Sequence, residues 1–273
     1  MKKITFLFCL LFSAFAAAQQ NDGFISQWLA DVSKTQAEQP HWVTPVVTVT
    51  PRLEQEFRYD FLRQITETGD TQVNIGGSKG LELIPFSRVE VIFNAPPYLL
   101  HNDPAVRDGF GDTTFLLKYR LLSANESHGN YIVTAFLGGS VPTGTYKNGA
   151  AAATMTPTIA AGKGYGKFSV QSTLGASLPV DDADKIGRSV LFNTAFQYHV
   201  TKHLWPEAEV NSTFFKGGAQ DGNKQVFLTP GIVVGRFPIH NRIALTLGAG
   251  MQFAATHFHT TNHNLIFSVR MPF

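Results

Sequence analysis

Charge is the first thing this chain is short of: 15% of its residues are charged, against about 25% in an average soluble protein. Its one cysteine, Cys9, excludes a disulfide scaffold and a cysteine-rich metal centre. Beyond residue 18 no apolar run approaches the roughly 20 residues that a membrane-spanning helix needs. Setting Lys2 and Lys3 aside leaves 20 basic residues against 20 acidic ones, so there is no field to attract nucleic acid, which is not an expected partner. No histidine is followed two residues later by serine, so the local arrangement of a strand-borne barrel phospholipase is missing. Gly162-Lys163-Gly164-Tyr165-Gly166 lacks the context of a nucleotide loop and reads as a turn; no cofactor is expected.

What is present is glycine (24 residues), phenylalanine (23) and a hydrophobic content of 44%, too apolar for disorder and suited to a surface that does not face water. Residues 1–18 read as an export leader. Lys2 and Lys3 precede a short apolar stretch from Ile4 to Phe15, and Ala16-Ala17-Ala18 supplies a small-residue cleavage pattern before Gln19.

Strict alternation dominates the rest. Leu265, Phe267, Val269, Met271 and Phe273 share one face, and Asn264, Ser268 and Arg270 the other, with Ile266 breaking the pattern. Phe115, Leu117, Tyr119 and Leu121 likewise oppose Thr114, Lys118 and Arg120. Strands are expected near 52–64, 70–83, 88–95, 112–122, 130–140, 153–162, 167–179, 188–200, 203–215, 224–236, 241–254 and 263–273. Most are longer than globular strands and match the 9–11 residues of a tilted membrane strand. Short connections such as Ile84-Pro85-Phe86-Ser87 trade places with longer polar ones, as in outer-membrane barrels. The pattern predicts an all-β fold: a transmembrane antiparallel β-barrel of twelve strands over 52–273, preceded by the leader (1–18) and a helical, periplasmic or plug segment (19–51). A soluble β-sandwich is the alternative.

Repeats agree with hairpins of 37 residues. Leu137-Gly138, Leu174-Gly175 and Leu247-Gly248 lie one and two such periods apart, and Thr156-Pro157 and Thr229-Pro230 two periods apart. A closed barrel has no edge on which to spare a ladder donor, so Pro157 and Pro230 are expected at bulges or strand ends.

The polar faces carry the candidate lumen residues: Arg52, Glu54, Glu56, Arg58 and Asp60 on the first strand, then Glu90, Lys118, Arg120, Glu207, Glu209 and Arg270. Toward lipid, a lysine or arginine at mid-depth would cost about 2–4 kcal/mol, so these side chains must point inward. There they either brace a narrow pore in pairs or form a selective constriction. Upstream, Phe24, Ile25, Trp28, Leu29 and Val32 recur at helical spacing behind Asp22, a candidate N-cap. The expected arrangement is a plug in which Phe24, Trp28 and Leu29, with Trp42, pack into the barrel mouth; a periplasmic helix is the alternative. His257, His259 and His263 cluster near one loop, but no cysteine or nearby carboxylate completes a metal site, and none is expected.

Four stretches resemble a known family: Trp42–Phe61 (WVTPVVTVTPRLEQEFRYDF), Lys79–Tyr98 (KGLELIPFSRVEVIFNAPPY), Gly109–Leu122 (GFGDTTFLLKYRLL) and Phe136–Tyr146 (FLGGSVPTGTY). They are similar to the outer-membrane proteins of the MetA-pathway phenol-degradation family. The resemblance implies a transporter-like barrel for small aromatic or hydrophobic compounds, and it brings no catalytic residues. A channel is therefore expected rather than an enzyme; a lipid-acting barrel enzyme and a structural or adhesive barrel are the rivals. The expected partners are outer-membrane lipid, the barrel-assembly machinery and a small solute.

Phe267, Val269, Met271 and the terminal Phe273 resemble the signal by which bacterial outer-membrane barrels are recognised for assembly. Replacing Phe273 with Asp is therefore expected to leave export intact and to reduce insertion sharply, measured as the fraction of protein recovered in outer membranes. Undiminished insertion would reduce the terminal pattern to an ordinary strand end.

Overall fold

The computed structural model describes residues 22–77 and 79–273; the leader and its cleavage point lie outside them. Helix α1 (Asp22–Ala37) comes first, followed by β1 (Glu56–Ile65), β2 (Thr71–Gly76), β3 (Leu81–Phe86), β4 (Val89–Asn94), β5 (Tyr98–His101), β6 (Gly109–Phe110), β7 (Thr113–Ala124) and β8 (Tyr131–Val141). Then come β9 (Thr154–Tyr165), β10 (Phe168–Pro179), a short helix α2 (Ala183–Ile186), β11 (Arg188–Tyr198), β12 (Leu204–Lys216), β13 (Lys224–His240), β14 (Ile243–Ala254) and β15 (His263–Pro272). All pairings are antiparallel, and the sheet closes because β1 pairs with β15 from Glu56↔Pro272 to Ile65↔His263.

Fifteen segments make twelve staves. β2 and β3 both pair with β1, at its two ends, and so form one broken stave. β4 continues into β5, and β6 into β7, in the same way. The breaks lie side by side. Gly77 has a positive φ of 64° and no room for a Cβ against Asp60. Pro96-Pro97 withholds two backbone donors, and Gly111 donates to the Pro97 carbonyl at 2.8 Å. Twelve strands were expected and twelve staves are found. The first begins at Glu56 rather than at 52, and Pro85-Phe86 belongs to β3, leaving Ser87-Arg88 as the turn.

The barrel is inside-out relative to a soluble protein. Phe57, Tyr59, Phe115, Leu117, Tyr119, Phe192 and Phe267 are exposed on the outer wall, while Arg58, Lys118, Gln171 and Arg270 are buried within. A continuous apolar belt of this kind marks a lipid-facing surface. Among the described residues no helix is long and apolar enough to cross a membrane; the strands have that length.

Two expectations about strand interiors need correction. Pro157 and Pro230 sit mid-strand, not at bulges or ends. The ladder from β9 to β10 skips from Thr158↔Gly175 to Met155↔Leu178, and that from β13 to β14 from Leu228↔Phe253 to Gly231↔Gly250, both without a change of register. Each proline thus interrupts one ladder and keeps the other. Gly162 and Gly164 are not turn residues: they lie inside β9, where a Cβ on either would collide with the indole of Trp42. Ile266, the apolar exception on a polar face, points into the barrel and shares a buried cluster with Val43, Val46, Trp205 and Val233.

Candidate functional site

Residues 39–55 form a loop inside the barrel. Its base is closed by Gln39, whose amide donates to the Leu53 carbonyl at 2.7 Å and accepts from the Leu53 N–H at 2.9 Å. The chain enters through Trp42 to Pro45, bends at Val46-Val47-Thr48, and returns through Thr50 to Gln55, where β1 begins. The base stands at the end with the short turns, the periplasmic end in an outer-membrane barrel, and the tip reaches mid-barrel. Proline at 40, 45 and 51 and the β-branched run between them suit an extended, non-helical path.

Such a loop makes no strand ladder, so its main-chain groups need other partners. The charged wall supplies them. Glu209 accepts from the N–H groups of Val47 (2.8 Å) and Thr48 (2.6 Å), Glu207 from that of Val46 (2.8 Å), and Glu90 from that of Glu54 (2.6 Å). Cations take the carbonyls. Arg270 donates to Thr44 and Pro45, Arg58 to Val46 at 2.7 Å, Lys118 to Arg52 at 3.1 Å, and Arg52 to Trp42. Thr134 and Gln171 add bonds to Pro51 and Val43. Ion pairs tie the same groups together: Arg58–Asp60 and Arg52–Glu54 at 2.8 Å, and Lys118–Glu90 at 2.9 Å. Glu56 stands opposite Glu82, each with one buried oxygen that finds no partner.

The eleven charged candidates are therefore all buried, with roles that differ. Arg52 and Glu54 belong to the returning arm of the loop and not to a strand. Arg120 holds α1 instead, donating to the Thr35 carbonyl at 2.7 Å and to Glu38 at 3.0 Å. With Asn125 on Ala37 and Ser123 on the Glu38 carbonyl, it satisfies the carbonyls that end a helix. Above the tip, Thr48, Asn211, Gln252 and Asn264 form a chain of side-chain hydrogen bonds toward the end with the long loops.

The plug candidates divide. Trp42 is buried in the lumen against Gly162 and Gly164. Trp28 donates from its indole to the Ile84 carbonyl at 2.7 Å and packs with Val32, Leu53 and Ile84 at the mouth. Leu29 is half-buried, and Phe24 is 73% exposed. The helix thus lies across the rim, and the loop after it enters the barrel, because the loop is what the wall is built to bond. The assembly candidates Phe267, Val269 and Met271 are exposed on the outer wall, and the Phe273 N–H donates to the Gln55 carbonyl at 3.1 Å.

Two contributors escaped the sequence. Arg236 has a φ of 60° at a register shift in β13, and this bulge turns its guanidinium to the carbonyls of His41 and Trp42 and over the Trp205 ring. The signal was the break in alternation at Gly235-Arg236. Gln171 joins the Thr50 hydroxyl, the Val43 carbonyl and Gln197, in a strand whose polar face carries no charge to draw attention. At the rim, Glu126 accepts from both the N–H and the imidazole of His41. Partial burial pushes its carboxyl up, but the two His41 contacts outweigh that and hold it below the usual range.

His259 does have a carboxylate nearby, contrary to expectation: β1–β15 closure brings Glu67 to 3.2 Å. The bond with Asn262, then the Thr256 carbonyl and Glu67, hold its imidazole above the ordinary value. Among the described residues no group of three or more metal-ligating side chains forms around it, nor around His257 or His263. A cavity of about 320 Å³ remains at the mouth, between the two arms of the loop and the wall at Arg236, Thr246 and Arg270.

Removing the Glu209 carboxylate strands two N–H groups at the loop tip, one buried and one half-buried, at about 1–3 kcal/mol for the buried one. Glu209→Ala is expected to keep a folded barrel, which runs faster on a gel unboiled than boiled, and to make residues 39–55 cleavable by added protease. Resistance equal to wild type would mean that the loop is held by other contacts.

No curated protein matches the chain. Among solved structures it is similar to the COG4313 outer membrane channel from Pseudomonas putida F1, at 17% identity and a TM-score of 0.54, over 80% of this chain and 94% of that one. It is also similar to a NanC porin, at 6% identity and a TM-score of 0.52, over 79% and 98%. At these identities the likeness is one of fold. The family described as "Putative MetA-pathway of phenol degradation" matches residues 44–261, from inside the lumen loop almost to the last strand, and the chain belongs to that family.

Proposed function

We propose that the protein is an outer-membrane channel for small apolar or aromatic molecules, closed at rest by its own lumen loop and performing no chemistry on what it passes. The observation that carries this reading is the loop itself. It fills the periplasmic half of a closed barrel, yet it is held by side-chain hydrogen bonds, ion pairs and small apolar seats rather than by a strand ladder, so it can shift without unfolding the wall. The mouth cavity beside it is wide enough for a single-ring solute and mixes Val43 and Ala244 with charged groups. The family description, phenol degradation, supports an aromatic solute, and the two structural neighbours, named as a channel and a porin, support passage over catalysis. The histidine rings with described bonds contact carboxylates, amides and carbonyls rather than hydroxyl nucleophiles, which favours passage over hydrolysis. The leader before Gln19 and the terminal Phe273 support export followed by insertion through the barrel-assembly machinery.

Cells with and without the protein should differ in uptake of labelled toluene and phenol and not in uptake of a hydrophilic sugar of similar size. Deleting residues 22–50 should raise single-channel conductance and erase that preference. Equal uptake across the whole panel would remove the transport reading, and lipid hydrolysis by the pure protein would put an enzyme in its place.

A further inference from the structure

Three cations stand together on the outer wall where the extracellular ends of β11, β12 and β13 meet. Arg188 opens β11, Lys216 closes β12 and Lys224 opens β13, and all three side chains are exposed. Arg188 and Lys216 are directly opposed across the ladder, and Lys224 faces Phe214, two positions along the same outer face from Lys216. Like charges so placed destabilise a sheet. Nothing among the described residues neutralises them. Asp221 accepts from the Gly217 N–H at 2.7 Å, Asp182 pairs with Lys185 at 3.0 Å, and neither Asp181 nor Asp184 forms an ion pair with any of the three.

What lies below them is apolar. Val190, Phe192, Phe214 and Leu228 continue the same outward face toward mid-barrel, all exposed. A row of unpaired cations capping an apolar strip is the complement of a lipid with acid groups above several acyl chains. Adjacent strands are about 4.8 Å apart, so the row spans roughly 10 Å, more than one phosphate occupies. A single-phosphate phospholipid would leave part of it unmatched.

We propose that this rim binds the phosphate groups of a phosphorylated, multiply acylated glycolipid in the outer leaflet, with its acyl chains along the strip beneath. The inference rests on the outer-membrane orientation proposed above, with the long loops outside, and not on transport. Phosphate bound between Arg188 and Lys216 would turn a repulsive cross-strand pair into a bridged one.

The test uses the full mature protein in detergent micelles, with native mass spectrometry reading bound lipid. The probes are diphosphoryl lipid A, its dephosphorylated counterpart and sodium phosphate. Wild type should retain diphosphoryl lipid A at least about tenfold better than the triple variant Arg188→Gln/Lys216→Gln/Lys224→Gln, given about 1 kcal/mol per surface cation. Lys202→Gln, an exposed cation at the opposite end, should behave as wild type. The three side chains are exposed and unpaired, so the variant should keep its heat-dependent gel shift. Equal retention by wild type and triple variant, or equal binding of the dephosphorylated lipid, would overturn the inference. Displacement by millimolar phosphate would also overturn it, since the rim would then be a general anion site. Absence of the protein from outer-membrane fractions is a separate result, and would instead sink the reading of location.

Discussion

An irregular stretch of main chain inside a barrel has lost water and has no neighbouring strand, so every N–H and C=O in it must be met by a side chain. Each one left unmet costs about 1–3 kcal/mol. The loop over residues 39–55 meets that demand with charges. Carboxylates of Glu90, Glu207 and Glu209 take N–H groups, and Arg58, Lys118, Arg236 and Arg270 give to carbonyls. The choice of ions is physical: hydrogen bonds with one charged partner are roughly twice as strong as neutral ones, and the loop can thereby be held without a ladder.

Other features of the wall answer to the same guest. Gly162 and Gly164 leave space for Trp42, and Gly248 and Gly250 bring the wall of β14 within reach of Val46. Ile266, Trp205 and Val233 give Val43 and Val46 an apolar seat in a polar lumen. The bulge at Arg236 spends a left-handed backbone conformation on aiming one guanidinium at the loop's entry. The outer wall, by contrast, is set by lipid alone, and its alternation is correspondingly plain.

That contrast explains what could be read before the fold was known. Alternation has a period of two and an inverted sense, so the closed twelve-stave barrel and the inward direction of Arg58, Lys118 and Arg270 followed from local pattern. The partners of those charges did not. Val47 and Thr48 meet Glu209 across more than 160 residues, and the loop has no periodicity to announce that it is buried. Phe24 and Trp28 carried a strong helical pattern, which drew attention to the helix when the extended segment after it was the part that entered. Pro157 and Pro230 misled for a related reason: a proline that withholds one donor need only open one ladder locally, and both neighbours hold their register.

Amide hydrogen exchange of the folded protein in detergent measures the central claim most directly. If the charged wall carries the loop, the N–H groups of Val46, Val47, Thr48 and Glu54 should be protected nearly as well as those in β12, although none of them lies in a strand. Exchange at those four positions as fast as in the exposed loop at 217–223 would contradict it, and would leave the buried charges bracing an open pore.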